Sequence, residues 1–139
     1  MENELKLKVG VIGTGVLGKY HTNLYRTTPH VELVGVYDAD PKVSADAAKQ
    51  FNVQAFEKLD DLVSRCDALT VAVPATLHYD TVMPLLRQGK HVLVEKPIDS
   101  EVNRAREMVS LADACSFICC LLCYKAKLNS CTDCMAGKA

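Results

Sequence analysis

Between two short apolar runs near the start of this chain stand three glycines, Gly13, Gly15 and Gly18, at the spacing G-x-G-x-x-G. The run before them is Val9-Gly10-Val11-Ile12, and the run after is Val31-Glu32-Leu33-Val34-Gly35-Val36-Tyr37, ending in Asp38. A helix-like stretch lies between. Strand, glycine turn, helix and second strand with an acid at its end is the order a dinucleotide-binding βαβ unit requires. Gly13 permits a tight turn, Gly15 lets the backbone approach a pyrophosphate, and Gly18 lets the helix pack close to the sheet. The helix N-terminus then presents free N–H groups and the positive end of its dipole to phosphates. The same glycines can serve a turn with no ligand; the strands, helix and acid around them favour the nucleotide. Asp38 can accept from the hydroxyls of an adenosine ribose and would repel a 2′-phosphate, which favours NAD over NADP. Its alternative is a turn or capping role, although Asp40 before Pro41 is the better cap candidate because proline suits the first helical position.

The rest of the chain continues the alternation. Strands are expected at Leu7–Ile12, Val31–Tyr37, Val53–Phe56, Ala68–Val73 and His91–Val94. Helices are expected at Gly15–Arg26, Pro41–Phe51, Lys58–Arg65, Thr76–Arg87 and after Asp99 or Ser100. Helical spacing places Leu17, Tyr20 and Leu24 on one face of the first helix, Val43, Ala47 and Phe51 on the second, and Val102, Ala105, Val109 and Ala112 on the last. Gly89 fits the end of the fourth helix. Strands alternating with helices through short connections imply an α/β fold, a doubly wound parallel sheet of order 3-2-1-4-5. In such a sheet, ligands bind at the carboxyl ends of the strands. The glycine turn, Asp38, Pro74 to His78 and Glu95 to Pro97 all follow strands and should gather at one edge.

Lys96 is the polar residue of most chemical interest. Near the nicotinamide end of a dinucleotide, a partly desolvated lysine can bind a substrate hydroxyl and act as a general base. Glu95 beside it can bond the nicotinamide ribose. The plainer alternative is a solvated loop lysine next to a glutamate, with Pro97 shaping the turn. His21 reads as a core or interface histidine or as the edge of a ligand site, and the former is preferred.

Three stretches together, G-T-G-V-L-G-K-Y-H at Gly13 to His21, Val73-Pro74 followed by His78, and G-K-H-V-L-V-E-K-P at Gly89 to Pro97, resemble the Gfo/Idh/MocA oxidoreductases. These are the relatives of glucose–fructose oxidoreductase and inositol dehydrogenase. The resemblance runs from about Lys8 to Ala112. It implies an N-terminal Rossmann domain that binds NAD or NADP, and oxidation of a sugar or cyclitol carbinol by hydride transfer. It assigns the pyrophosphate to Gly13, Gly15 and Gly18, with Thr14, Val16 and Leu17 completing the cofactor turn, and the adenosine ribose to Asp38. Pro74 and His78 would border the cofactor, Glu95 would lie by the nicotinamide ribose, and Lys96 would be the catalytic residue at the substrate. For His78, a polar residue in the first turn of a helix is an equal alternative. Members of this family continue into a larger α/β domain carrying further catalytic residues. That domain is missing from this sequence, so cofactor binding with little or no catalysis by this chain alone is expected. An exposed sheet edge would also invite self-association into a homo-oligomer.

Composition narrows the partners. The chain has 139 residues and a formal charge of −1, which gives no electrostatic case for nucleic acid or an anionic membrane. The charged N-terminus has no apolar signal core, so the cytoplasm is the expected compartment. Residues 1–114 read as the Rossmann domain and residues 115–139 as a cysteine-rich tail. Cys120-Leu-Leu-Cys123 and Cys131-Thr-Asp-Cys134 can hold zinc or form disulfides, but a tail without a ligand is preferred because no scaffold surrounds the short loop between the pairs. A non-catalytic NAD-binding module whose tail binds metal or a partner is the alternative function. Cys66 reads as a small buried side chain.

Overall fold

The computed structural model describes residues 4–114, and the tail with its two C-x-x-C pairs lies outside the described residues. The chain divides into two units, with the boundary between Ala72 and Val73. Among the described residues the strands are β1 (Leu7–Ile12), β2 (Val31–Tyr37), β3 (Ala68–Val71) and β4 (His91–Val94), in the order β2-β1-β3-β4. The flanking helices are α1 (Val16–Thr27), α2 (Pro41–Phe51), α3 (Leu59–Ser64), α4 (His78–Arg87) and α5 (Val102–Ala114). This is the α/β doubly wound arrangement expected from the sequence.

In the first unit, β1 pairs in parallel with both β2 and β3. Parallel strands covered on both sides need near-continuous apolar side chains, and Val9, Val11, Ile12, Val36, Leu69 and Val71 are all buried. The expected third strand is reduced to an isolated parallel bridge between Val36 and Ala55. Val36 N–H donates to the Gln54 carbonyl and Phe56 N–H to the Val36 carbonyl, each at 2.9 Å, so the segment keeps its place beside β2 without extending into a ladder. Helix α2 has the cap expected for it: the Asp40 carboxylate accepts from Lys42 N–H at 3.0 Å and Pro41 opens the helix. At its other end Asn52 turns left-handed with φ 53° and returns its N–H to the Ala48 carbonyl.

Two helical faces differ from those expected. On α1, Leu17, Tyr20 and Leu24 face solvent, while Gly18, His21 and Thr22 are buried. The inward face carries a polar–aromatic arrangement: the His21 ring stacks on Tyr25 at 6.3 Å and meets Tyr20 edge-on at 6.1 Å. Tyr25 shares a 2.7 Å hydrogen bond with Thr70 of β3, which anchors the helix to the sheet by polar contact. Cys66 is buried, as expected.

In the second unit, a 3-10 turn at Ala75–Leu77 leads into α4, whose Val82, Leu85 and Leu86 are buried as expected. The end of α4 closes as a Schellman motif: Gly89 (φ 76°) donates to the Leu86 carbonyl at 3.0 Å and Lys90 to the Leu85 carbonyl at 3.1 Å. On α5 the buried side chains are Ala105, Met108 and Ala112, while Val102 is exposed and Val109 only half-buried. Met108 takes the central position because a long unbranched side chain fills an irregular gap that spacing alone does not reveal.

Two predictions follow from this packing. A Cβ on Gly18 would overlap the Gly13 carbonyl oxygen, whereas one on Gly15 would meet no atom within 4 Å. Gly18→Ala should therefore destabilise the chain by about 2 kcal/mol or more in urea unfolding, while Gly15→Ala leaves the midpoint nearly unchanged. Burial raises the Tyr25 phenol above its usual 10.0, opposed in part by the hydrogen bond with Thr70. The stability held there is complete below the unfolded value and is lost as pH rises through the higher folded one. Tyr25→Phe should cost about 1 kcal/mol at neutral pH and flatten the loss of stability above about pH 10, as read from unfolding midpoints across that range.

Candidate functional site

The turn after β1 is built from both ends. Gly13 has φ 90°, a backbone region that side chains rarely tolerate, and its N–H donates to the Tyr37 carbonyl at 2.8 Å. This bond ties the turn to the last residue of β2. Thr14, fully buried, donates twice to Asp38 Oδ2, from its backbone N–H at 2.8 Å and from its hydroxyl at 3.1 Å. Asp38 Oδ1 accepts from Asp40 N–H at 2.9 Å. The structure thus brings Gly13, Thr14 and Asp38 together. It also gives Asp38 the turn role that the sequence offered as its alternative, and adds Thr14 as a partner. Its carboxylate clamps the glycine turn to the start of the loop leading into α2. A carboxylate offers about four acceptor positions; three are taken by these donors, and capacity remains for a hydroxyl approaching from outside.

Helix α1 begins at this turn with Gly15 as its N-cap, without a side-chain capping bond and without an acid in its first turn. Its first N–H groups are therefore left to an anion. The open space at Gly15 lies where a phosphate would need backbone access, and the Gly18–Gly13 contact holds the helix start against the turn. These features fit a dinucleotide pyrophosphate. Val16 is 87% exposed and Leu17 50%, so the first turn of α1 presents apolar surface beside those N–H groups. With Tyr20 and Leu24 they form one outward stripe, the reverse of the core role that helical spacing suggested.

In the second unit the residues of interest follow β3 and β4. Pro74 is exposed and starts the 3-10 turn. His78, at the first position of α4, is 1% exposed. Its Nε2 lies 2.8 Å from the Val73 carbonyl, and its Nδ1 lies 2.8 Å and 2.9 Å from the carbonyls of Pro97 and Ile98. Its polar atoms are thus engaged with the backbone on both edges of the ring. Glu95 is half-buried and Lys96 exposed, with the Lys96–Pro97 peptide cis. The described residues therefore do not supply the desolvation expected around Lys96. Ile98 and Asp99 complete the segment, both buried.

Sequence reasoning missed Asp99. Its Oδ1 accepts from Glu101 N–H at 2.8 Å, while its buried Oδ2 has no hydrogen-bond partner among the described residues. An acid three residues before a helix reads as ordinary capping, and only burial distinguishes it. The Thr14–Asp38 clamp was also missed, since both residues had been given to the ligand and not to each other. Among the described residues, no group of three or more His, Cys, Asp or Glu is placed to hold a metal ion, and no helix is long and apolar enough to cross a membrane.

Comparison with known proteins agrees with this geometry. The chain is 34% identical over 109 residues to glucose-6-phosphate 3-dehydrogenase of Bacillus subtilis, covering 78% of this chain and 31% of that protein. It is 35% identical over 107 residues to inositol 2-dehydrogenase of Rubrobacter xylanophilus, covering 75% of this chain and 31% of that protein. Among solved structures, GenD2 from gentamicin A biosynthesis in complex with NAD superposes with a TM-score of 0.78 at 29% identity, over 83% of this chain and 34% of GenD2. UDP-N-acetylglucosamine 3-dehydrogenase from Acidithiobacillus ferrooxidans superposes with a TM-score of 0.77 at 27% identity, over 82% of this chain and 38% of that one. The chain thus spans about a third of the length of these relatives. The sequence model for an oxidoreductase family with an NAD-binding Rossmann fold matches residues 7–121, and with the glycine turn, the clamped Asp38 and the sheet order it shows that this chain belongs to the Gfo/Idh/MocA family.

Proposed function

We propose that this chain is the NAD-binding part of an oxidoreductase that removes hydride from a CH–OH carbon of a sugar or cyclitol. The observation that carries the reading is the built turn: an open Gly15, uncapped N–H groups at the start of α1, and the Asp38 carboxylate held beside them by Thr14. The α1 N–H groups bind the pyrophosphate. Asp38 accepts a ribose hydroxyl at its remaining position, and its charge disfavours a 2′-phosphate, so NAD is preferred over NADP. Val16 and Leu17 pack against the cofactor and lose their exposure when it binds.

The bound nicotinamide supplies the hydride acceptor. The chain's own contributions to that step lie after β3 and β4. Pro74 lines the nicotinamide side and Glu95 accepts from the nicotinamide ribose. Lys96 binds the carbinol oxygen and takes its proton as hydride leaves the carbon. The sugar or cyclitol class rests on what the relatives act on and on the resemblance carried by Glu95-Lys96-Pro97. Because the relatives are about three times as long, orientation of the substrate and exclusion of water are assigned to structure beyond this chain's matched region.

Calorimetric titration of the reduced protein with NAD and NADP tests this. NAD should bind more tightly than NADP, and Asp38→Ala should weaken NAD by about tenfold to a hundredfold, the range for a hydrogen bond to a charged group. Circular dichroism of the variant checks that loss of the Thr14 clamp has not unfolded the turn's unit. Failure of the folded wild-type chain to bind NAD would overturn the reading.

A further inference from the structure

We infer that His78 is a positioning residue whose ring ties the segment after β3 to the segment after β4, fixing the backbone that carries Glu95 and Lys96. This rests on the NAD-binding reading above, since that reading gives Glu95 and Lys96 their work. Three main-chain carbonyls converge on one buried ring: Val73 on Nε2, and Pro97 and Ile98 on Nδ1, all within 2.9 Å. They come from two segments, one just before and one some twenty positions after His78, all within the second unit. Val73 lies beyond the end of β3, and Pro97 and Ile98 lie between β4 and α5, outside the regular elements. Carbonyls withdrawn from water need donors, and here a buried side chain is placed to meet them.

The chemistry of the ring sharpens the assignment. A carbonyl only accepts, so a ring nitrogen that bonds one must carry hydrogen, and the tautomer decides which edge of the ring donates. The residue after Ile98 is the fully buried Asp99, whose Oδ2 has no hydrogen-bond partner among the described residues. The tie holds the polypeptide on the C-terminal side of Lys96, at the next residue and the one beyond. Movement of the ring would therefore reach the lysine through a single peptide unit.

Two measurements test this. The first is nitrogen NMR of the His78 ring in the intact wild-type chain. The tie predicts a ring N–H whose hydrogen exchanges slowly with solvent; a ring hydrogen that exchanges as fast as that of an exposed histidine overturns it. The second compares NADH with ADP, which lacks the nicotinamide half, on wild type and on His78→Phe, a similar shape with no donors. NADH should weaken about tenfold while ADP stays within about twofold. An equal loss for both ligands, or no loss for either, overturns the positioning role. If the folded wild-type chain binds neither ligand, the NAD-binding reading fails and the positioning role with it, while the ring spectrum still decides the tie. If His78→Phe does not fold, the ring spectrum of the native chain decides, and His78→Gln, which keeps one donor, takes its place and should fall between wild type and complete loss of discrimination.

Discussion

The close approach of α1 to the turn that ends β1 is the constraint on which the first unit depends. Gly18 sits against the Gly13 carbonyl with no room for a side chain. That contact places the helix start at the carboxyl end of β1, and from there the other features follow. The N–H groups of α1 point from a place where the backbone at Gly15 is open. Gly13 bonds to the end of β2, and Thr14 reaches the acid just beyond it. Were the helix to begin farther out, the dipole end and the carboxylate would no longer belong to one cradle. The placement of the helix start against the turn thus depends on a steric condition, the absence of a methyl group at Gly18.

Asp38 shows how one side chain serves structure and chemistry together. A carboxylate that only waited for a ligand would be a solvated, mobile group. Here three donors from its own chain fix its position and hold the carboxylate already oriented. His78 follows a related logic in the second unit: a buried ring meets main-chain carbonyls that lie outside the regular elements. In both cases irregular segments are held by side-chain-to-backbone contacts.

The alternation of strands and helices was legible because each element announces itself locally. Strands β1, β2 and β4 and helix α2 begin and end where apolar runs, Asp40-Pro41 and the turn residues place them. What was not legible was which side of a helix faces in. Leu17, Tyr20 and Leu24 form an apolar stripe at helical spacing, but the sheet receives Gly18, His21, Thr22 and the ring of Tyr25. Spacing reports that a stripe exists; it does not report whether protein or ligand is meant to cover it. The Val53–Phe56 segment likewise had strand composition, yet only one bridge formed beside Val36. A strand's extent depends on a partner's free edge as well as on its own residues.

By itself, the sequence determined the order of elements, the glycine turn with its helix and acid, and membership of a family of oxidoreductases. These are local in the chain: spacing, conformational permission and capping chemistry act over a few residues. The tertiary structure alone decided that Asp38 is clamped by Thr14, that His78 turns both edges of its ring to main-chain carbonyls, and that Asp99 is buried. Each of these is a contact or an exclusion of solvent between residues that are distant in sequence or that differ only in burial. Hydrogen-bond partners and desolvation are properties of positions in space, and no pattern along the chain encodes them.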